Sequence, residues 1–293
     1  MLLGDFAAAW RESDKIAARG AAGPLALWDG RTFSGKRVVI RCLHGYGDAI
    51  QFLRYAPAIA RTAASVTVET HPEMVSLVSL IKGIDRVITW GGQDRLRRED
   101  WDQQIEVTEL PWAFRTGLSD VPVSIPYIHV DPRACEQSRQ CLGSPDQPRA
   151  GLMWASSSWN PQRSVPLMEL TPVLAQNRFA FYSFQRGPER DQLQQIGSGY
   201  SIHDTSAHSP SIRDTAADLQ NMDLLITVDT MAAHLAGALG KPVWMMLPFE
   251  ADWRWMLDRE DSPWYPTMRL FRQERPGDWG AVIERIVREL AHF

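Results

Sequence analysis

The sequence predicts an α/β protein made of two successive Rossmann-like domains. Short apolar runs alternate with helical patterns along the chain, which is the signature of βαβ units and parallel sheets. A stretch rich in Pro, Ser and Asp, residues 117–148, separates those runs into two series. A length of 293 residues suits two domains of about 100 to 150 residues each. In the first series "RVVIRCL" (37–43), "SVTVE" (65–69), "DRVIT" (85–89) and "QQIEV" (103–107) read as strands, with helices over 48–62, 72–80 and 108–116. In the second, "RAGLMWAS" (149–156), "RFAFYSF" (178–184), "DLLITVD" (223–229) and "KPVWMML" (241–247) are strands, and helices fit near 166–176, 188–196, 212–221 and 230–239. The final "DWGAVIERIVRELAHF" sets Val282, Ile286, Val287 and Leu290 on one helical face and reads as an amphipathic closing helix.

Composition excludes several function classes. A formal charge of −4 offers no basic excess for a polyanion, so nucleic acid is not an expected partner. The longest apolar stretches, such as "PVWMMLPF", fall short of the roughly 20 residues of a membrane span, and Asp5 stands where a signal peptide would be basic then apolar. The expected location is the cytoplasm. Cys42, Cys135 and Cys141 are odd in number and lack CxxC spacing, which indicates reduced thiols rather than disulfides or a zinc site.

Ligands of such sheets bind beyond the carboxyl ends of the strands, so the strand-to-helix junctions carry the functional argument. In "LHGYGDAIQF", Gly45 and Gly47 follow a strand and Glu69 ends the next, as in a dinucleotide fingerprint. Ile50 at the third glycine position and Asp48 at the helix N-terminus, where a pyrophosphate would lie, argue against NAD and against oxidoreduction. Asp48 is suited to cap the helix. Placed at the mouth of a cleft, the same carboxylate is also suited to accept a proton from a hydroxyl. In "TVDTMAAHLAGALGKP", Thr230 opens a helix with His234 one turn on, so backbone N–H groups at Thr230 and Met231 and the threonine hydroxyl could hold a diphosphate. Asp229 there is acidic, and a lone helical histidine is commonly structural, so spacing leaves this junction open.

"HGYGDAIQFLRYAP", "GLMWASSSWNPQRSVPL", "DLLITVDTMAAHLAGALGKPVW" and "DWRWMLDREDSPWYPTMRLFRQ", in that order over residues 24 to 293, resemble the heptosyltransferase-type glycosyltransferases of family 9. The resemblance is greatest to relatives in which tetratricopeptide repeats precede a GT-B catalytic region. "LLGDFAAAWRE" resembles the last helix of such an array, so residues 1–33 are expected to be a remnant of a repeat region. The resemblance implies an N-terminal acceptor domain over 34–145, a C-terminal nucleotide-sugar domain over 146–275 and a helix over 276–293 packing back towards the N-terminal domain. It implies inverting transfer with no essential metal and no cofactor beyond the nucleotide-sugar substrate. The acceptor would be a hydroxyl of a glycan, a lipopolysaccharide core or other lipid-linked sugar, or a protein; a lipid-linked acceptor would bring peripheral membrane contact.

The family's Gly-x-Gly-Asp base maps onto Asp48, with His44 the runner-up. Its Asp-Thr-Gly-x-x-His diphosphate grip maps onto Asp229, Thr230 and His234, with Met231 replacing the glycine. Its loop cation maps onto Arg163, and Ser156 and Ser157 fall where small hydroxyls meet phosphate. Gln185, Glu189 and Ile212 are expected at the nucleoside. Trp253, Trp255, Trp264 and Tyr265 are candidates for stacking on sugars, and Arg254 and Arg269 for phosphate contacts. The competing reading is a GT-B-shaped binding or scaffold protein that has lost catalysis, motivated by Met231 and the missing repeats.

Overall fold

The computed structural model describes residues 1–20, 23, 25–92, 94–122, 124–156 and 160–293, and the chain separates into Met1–His129 and Val130–Phe293. The first unit runs α1 (Phe6–Ala18), β1 (Arg37–Arg41), α2 (Tyr46–Phe52), α3 (Ala56–Ala60), β2 (Ser65–Thr70), α4 (Val75–Val78), β3 (Arg86–Thr89), β4 (Gln103–Glu106) and α5 (Leu110–Ala113). Its four strands pair in parallel in the order β3-β2-β1-β4. Val38, Val39 and Ile40 of β1 are buried, as expected of a parallel strand covered on both faces. The helix expected over 48–62 is broken into α2, a 3-10 turn at Leu53–Tyr55 and α3, where Pro57 enters the first turn without an N–H to donate.

Helix α1, in the segment expected to be a repeat remnant, belongs to the first unit. Asp5 caps α1 by accepting the Ala8 N–H (2.8 Å), and Phe6 and Trp10 are buried within the first unit. The Trp10 indole donates to the Thr116 carbonyl (2.8 Å), and Asp14 takes the Trp112 indole N–H (2.9 Å).

The second unit runs α6 (Pro132–Leu142), β5 (Arg149–Met153), α7 (Thr171–Leu174), β6 (Ala180–Ser183), β7 (Ile202–Asp204), α8 (Ile212–Gln220), β8 (Leu224–Val228), α9 (Met231–Ala238), β9 (Val243–Leu247), β10 (Met268–Arg272) and α10 (Trp279–Leu290). The parallel sheet has the order β10-β9-β8-β5-β6-β7. Counted from β5, that is the Rossmann order 3-2-1-4-5-6 read from its far edge, with the direction of winding reversing between β5 and β8.

Three expectations are corrected here. The linker reading of 117–148 misses α6, which Asp131 caps by accepting the Arg133 N–H (2.8 Å) with Pro132 at the first turn. The Ser138 hydroxyl of α6 donates to the buried Asp218 on α8 (2.7 Å), so this helix belongs with the second unit and the division falls near residue 130, not 145. The segment 188–196 forms a 3-10 turn, Pro188–Gln194, in which no residue is fully buried; only Leu193 and Ile196 pack partly against the core, too narrow an apolar face to hold an α-helix. The closing helix buries Trp279, Val282, Ile283, Ile286 and Leu290 in the second unit's own core, beside Val173, Phe181 and Phe271.

Candidate functional site

In each sheet the winding reverses between the first strand and its neighbour on the other side, β1/β4 and β5/β8. Loops leaving the carboxyl ends of such a strand pair diverge to opposite faces and leave a crevice. The predicted residues gather at these two places.

In the first unit, β1 leads through Cys42 and His44 into α2. Asp48 stands at the third helical position, and its Oδ2 accepts the N–H of the N-cap residue Gly45 (3.1 Å), the one bond of a capping box that a glycine cap allows. The capping reading of Asp48 is therefore seen directly, and the carboxylate is only half-buried. His44 is exposed, with Nδ1 3.0 Å from Oε1 of Glu106, the last residue of β4. Glu106 is fully buried: Oε1 accepts the Leu43 N–H (3.2 Å), and Oε2 accepts the Thr108 N–H (2.6 Å) and the Thr108 hydroxyl. Sequence reading missed Glu106, although an acid at the end of the strand beside β1 is the signal that would have found it. Cys42 is buried, and burial followed by the nearby Glu106 charge pushes its thiol far above its usual range.

In the second unit, Asp229 at the end of β8 organises the crevice. It is 4% exposed. Its Oδ2 accepts the Trp255 indole N–H (3.0 Å) and lies 3.1 Å from Arg163 Nη1; its Oδ1 lies 3.7 Å from His234 Nε2. Burial alone would raise the Asp229 pKa. The close approach of His234, followed by the charges of Arg254 and Arg163, overrides it, so the carboxyl is held well below its usual range. His234 Nδ1 is in turn 3.0 Å from the Tyr265 hydroxyl. Gly237 permits this contact, because a Cβ there would lie 2.5 Å from Cδ1 of the Tyr265 ring.

Thr230 is the N-cap of α9 in extended conformation, and its side chain makes no capping bond; Oγ1 lies 3.2 Å from Thr227 Oγ1. Met231 follows as the first helical residue and is partly exposed. Asp229, Thr230, Met231, His234 and Arg163 are thus brought together.

The other predicted positions fall out differently. Ser157 lies outside the described residues. The Ser156 hydroxyl donates to the Asn160 carbonyl (3.3 Å), and its N–H donates to Ser164 Oγ (3.1 Å), which shapes the loop that carries Arg163. The Gln185 amide is engaged by the protein: Oε1 accepts the Trp154 and Ala155 N–H groups (3.1 and 2.9 Å), and Nε2 donates to the Arg186 carbonyl (2.9 Å). Glu189 is partly buried in the 3-10 turn, and Ile212 begins α8 beneath the Ser211 cap. Trp255, Trp264 and Tyr265 are fully buried, so none offers a face for a sugar; they pack and hydrogen-bond instead. Arg269 pairs with Glu289 (2.6 Å) and Glu260 (3.4 Å). Arg254 pairs with Asp252 (2.9 Å) while contributing charge at Asp229.

Two Rossmann-like units with side chains gathered at both switch points define the fold class of the GT-B glycosyltransferases. Within that class the fold is the one seen in family 9. The glycosyl transferase family 9 structure from Veillonella parvula DSM 2008 superposes with TM-score 0.62 at 13% identity, over 89% of this chain and 98% of that one. The ADP-heptose lps heptosyltransferase II of E. coli gives TM-score 0.63 at 12% identity, over 87% and 98%. Among curated proteins the chain is similar to Protein FlbA of Caulobacter vibrioides (strain ATCC 19089 / CIP 103742 / CB 15), 24% identical over 300 residues, covering 92% of this chain and 49% of FlbA. The chain therefore spans about half the length of the curated relative it matches. No protein-family model matches it. Among the described residues, no helix is long and apolar enough to cross a membrane.

Proposed function

We propose that the chain is an inverting glycosyltransferase that moves a sugar from a nucleotide-sugar to an acceptor hydroxyl without a divalent metal. The observation that carries this reading is the Arg163–Asp229 pair beside the side-chain-uncapped N-terminus of α9, at the switch point of a sheet with the Rossmann order. Backbone N–H groups at that terminus and the Thr230 hydroxyl are suited to the donor diphosphate, and Arg163 supplies the cation that offsets the charge leaving with it. Asp48 takes the proton of the acceptor hydroxyl as the new glycosidic bond forms and the bond from the anomeric carbon to the diphosphate breaks, with inversion at that carbon. The acceptor is a sugar hydroxyl of a glycan or lipid-linked core, or a hydroxyl of a protein.

Thermal-shift measurement with nucleotides and nucleotide-sugars, followed by a donor hydrolysis and transfer assay in EDTA, tests the proposal. Stabilisation by ADP, GDP, UDP or CMP species is expected; stabilisation by NAD alone would overturn it. Met231 in the first turn of α9 favours a second reading, a binding protein that has lost catalysis; that reading predicts nucleotide stabilisation without donor turnover.

Arg163→Ala and Thr230→Ala should each weaken binding of the stabilising nucleoside diphosphate, the arginine more. A hydrogen bond to a charged group contributes roughly 1.5–3 kcal/mol, so affinity should fall about tenfold or more at Arg163, and less as salt is added. Calorimetric titration reads both, and unchanged affinity in the two variants would remove the diphosphate from this helix.

A further inference from the structure

Past Asp252 the chain enters a turn whose backbone is unusual. Met256 has φ 50° and ψ −174°, and Asp258 has φ 52°. Non-glycine side chains rarely adopt a positive φ, and such strain persists only where the surroundings hold it in place. Here the holder is Arg272, the last residue of β10, whose Nη2 donates to two consecutive carbonyls of the turn, Trp255 O (3.1 Å) and Met256 O (2.5 Å). From the other side the Trp264 indole N–H donates to the Arg254 carbonyl (3.0 Å). Fixed between these points, Trp255 is fully buried, with its ring centroid 5.5 Å from that of His234 and its indole N–H on Asp229 Oδ2 at 3.0 Å.

We infer that Arg272 is a positioning residue for the nucleotide site: by clamping the Trp255–Met256 carbonyls it aims the Trp255 indole at Asp229. The inference rests on the donor-site reading above. Asp229 has to present one oxygen towards Arg163 and the other towards His234, and a carboxylate can rotate about its last bond. The indole N–H, arriving from a rigid ring, fixes that rotation by holding Oδ2 on the Arg163 side. Without the clamp the turn relaxes to ordinary backbone angles, the indole leaves Oδ2, and Arg163 and His234 lose their common anchor. Arg272 itself touches no substrate in this scheme. It acts through the chain Arg272, turn, Trp255, Asp229, Arg163. None of this is legible in the sequence, where Arg272 is one of two arginines flanking "LF" in a stretch that resembles a polar loop.

The test uses the full chain and titrates ADP, GDP and UDP calorimetrically at a temperature well below unfolding, carrying forward whichever binds most tightly. Arg272→Met removes the clamp and keeps most of the stem; Trp255→Phe keeps an aromatic ring and removes the N–H. Each should weaken nucleotide binding about five- to tenfold, and Arg272→Lys, which can still donate to the turn, should recover part of the loss. Because both act through one contact, the double variant should lose little beyond either single one, as coupled neighbours do. A structural role alone would lower the melting temperature of Arg272→Met and leave its affinity unchanged, and that result overturns the inference. Additive losses in the double variant overturn the route through Trp255. If Arg272→Met does not fold, Arg272→Lys and Trp255→Phe decide between the same outcomes. Wild-type protein that binds none of the three diphosphates removes the donor-site reading and the inference with it, whereas wild-type binding with unaffected variants removes the inference alone.

Discussion

Asp48→Asn should lower the rate of sugar transfer about 10²–10⁴-fold, the usual contribution of a general base, while the affinity for the nucleotide diphosphate stays at its wild-type value. Asp48 accepts the Gly45 N–H at the start of α2, and the proposed base role falls on the same carboxylate. The Gly45 N–H bond to Oδ2 needs only an acceptor oxygen, and the amide of asparagine still has one, so α2 keeps its cap. What the amide cannot do is take a proton from a hydroxyl. Folding should therefore be nearly unaffected and turnover lost, which circular dichroism and an initial-rate assay at saturating donor would show together. Transfer at the wild-type rate would leave Asp48 as a cap only. His44→Gln should have the smaller effect; if it is the larger, the base is the imidazole beside Glu106.

Asp229→Asn should destabilise the second unit by about 3–5 kcal/mol, the magnitude found when one partner of a buried ion pair is removed and the other charge is left uncompensated. Arg163 and His234 both face this carboxylate from partly or fully buried positions, and the asparagine amide can turn only one acceptor oxygen towards them. The pH dependence follows from the depressed pKa of Asp229. A group held below its unfolded value of about 3.9 contributes stability that is complete above that value and is lost as pH falls below it. The gap in denaturation midpoint between wild type and Asp229→Asn should thus be constant from about pH 5 upward and narrow towards pH 2. A gap independent of pH down to that limit would mean that the Asp229 carboxyl titrates alike in the folded and unfolded protein and is not held low by its neighbours.

The strands that sequence reading located are those with β-branched or bulky apolar runs buried on both faces, "RVVIR" and "LLITV" among them, because covering both faces demands such residues. The two that escaped are β7, three residues of "IHD" at a sheet edge, and β10, "MRLFR", whose arginines make it resemble a polar loop. Helix α6 had a readable signal in Asp131 followed by Pro132, outweighed by the surrounding Pro, Ser and Asp. Similarly, the junction residues Asp48, Asp229, Thr230 and His234 were legible, because strand-to-helix turns are set by local sequence. The contacts of Glu106 with Leu43, of Trp255 with Asp229 and of Tyr265 with His234 were not, since each spans 26 to 63 residues of chain and only the folded sheet brings the partners together.

The two switch points also bear on how such a chain can change over generations. In each unit candidate site residues follow the ends of adjacent strands, β1 and β4 or β5 and β8, while the remaining strands serve as frame. A lineage could rewrite the residues after β1 and β4, and so meet a new hydroxyl-bearing molecule, without disturbing the Asp229 network that the second unit completes from its own residues. Inheritance of the two proposed half-sites is in that sense modular. Mosaics joined near His129 and Val130 would be the laboratory counterpart of that history.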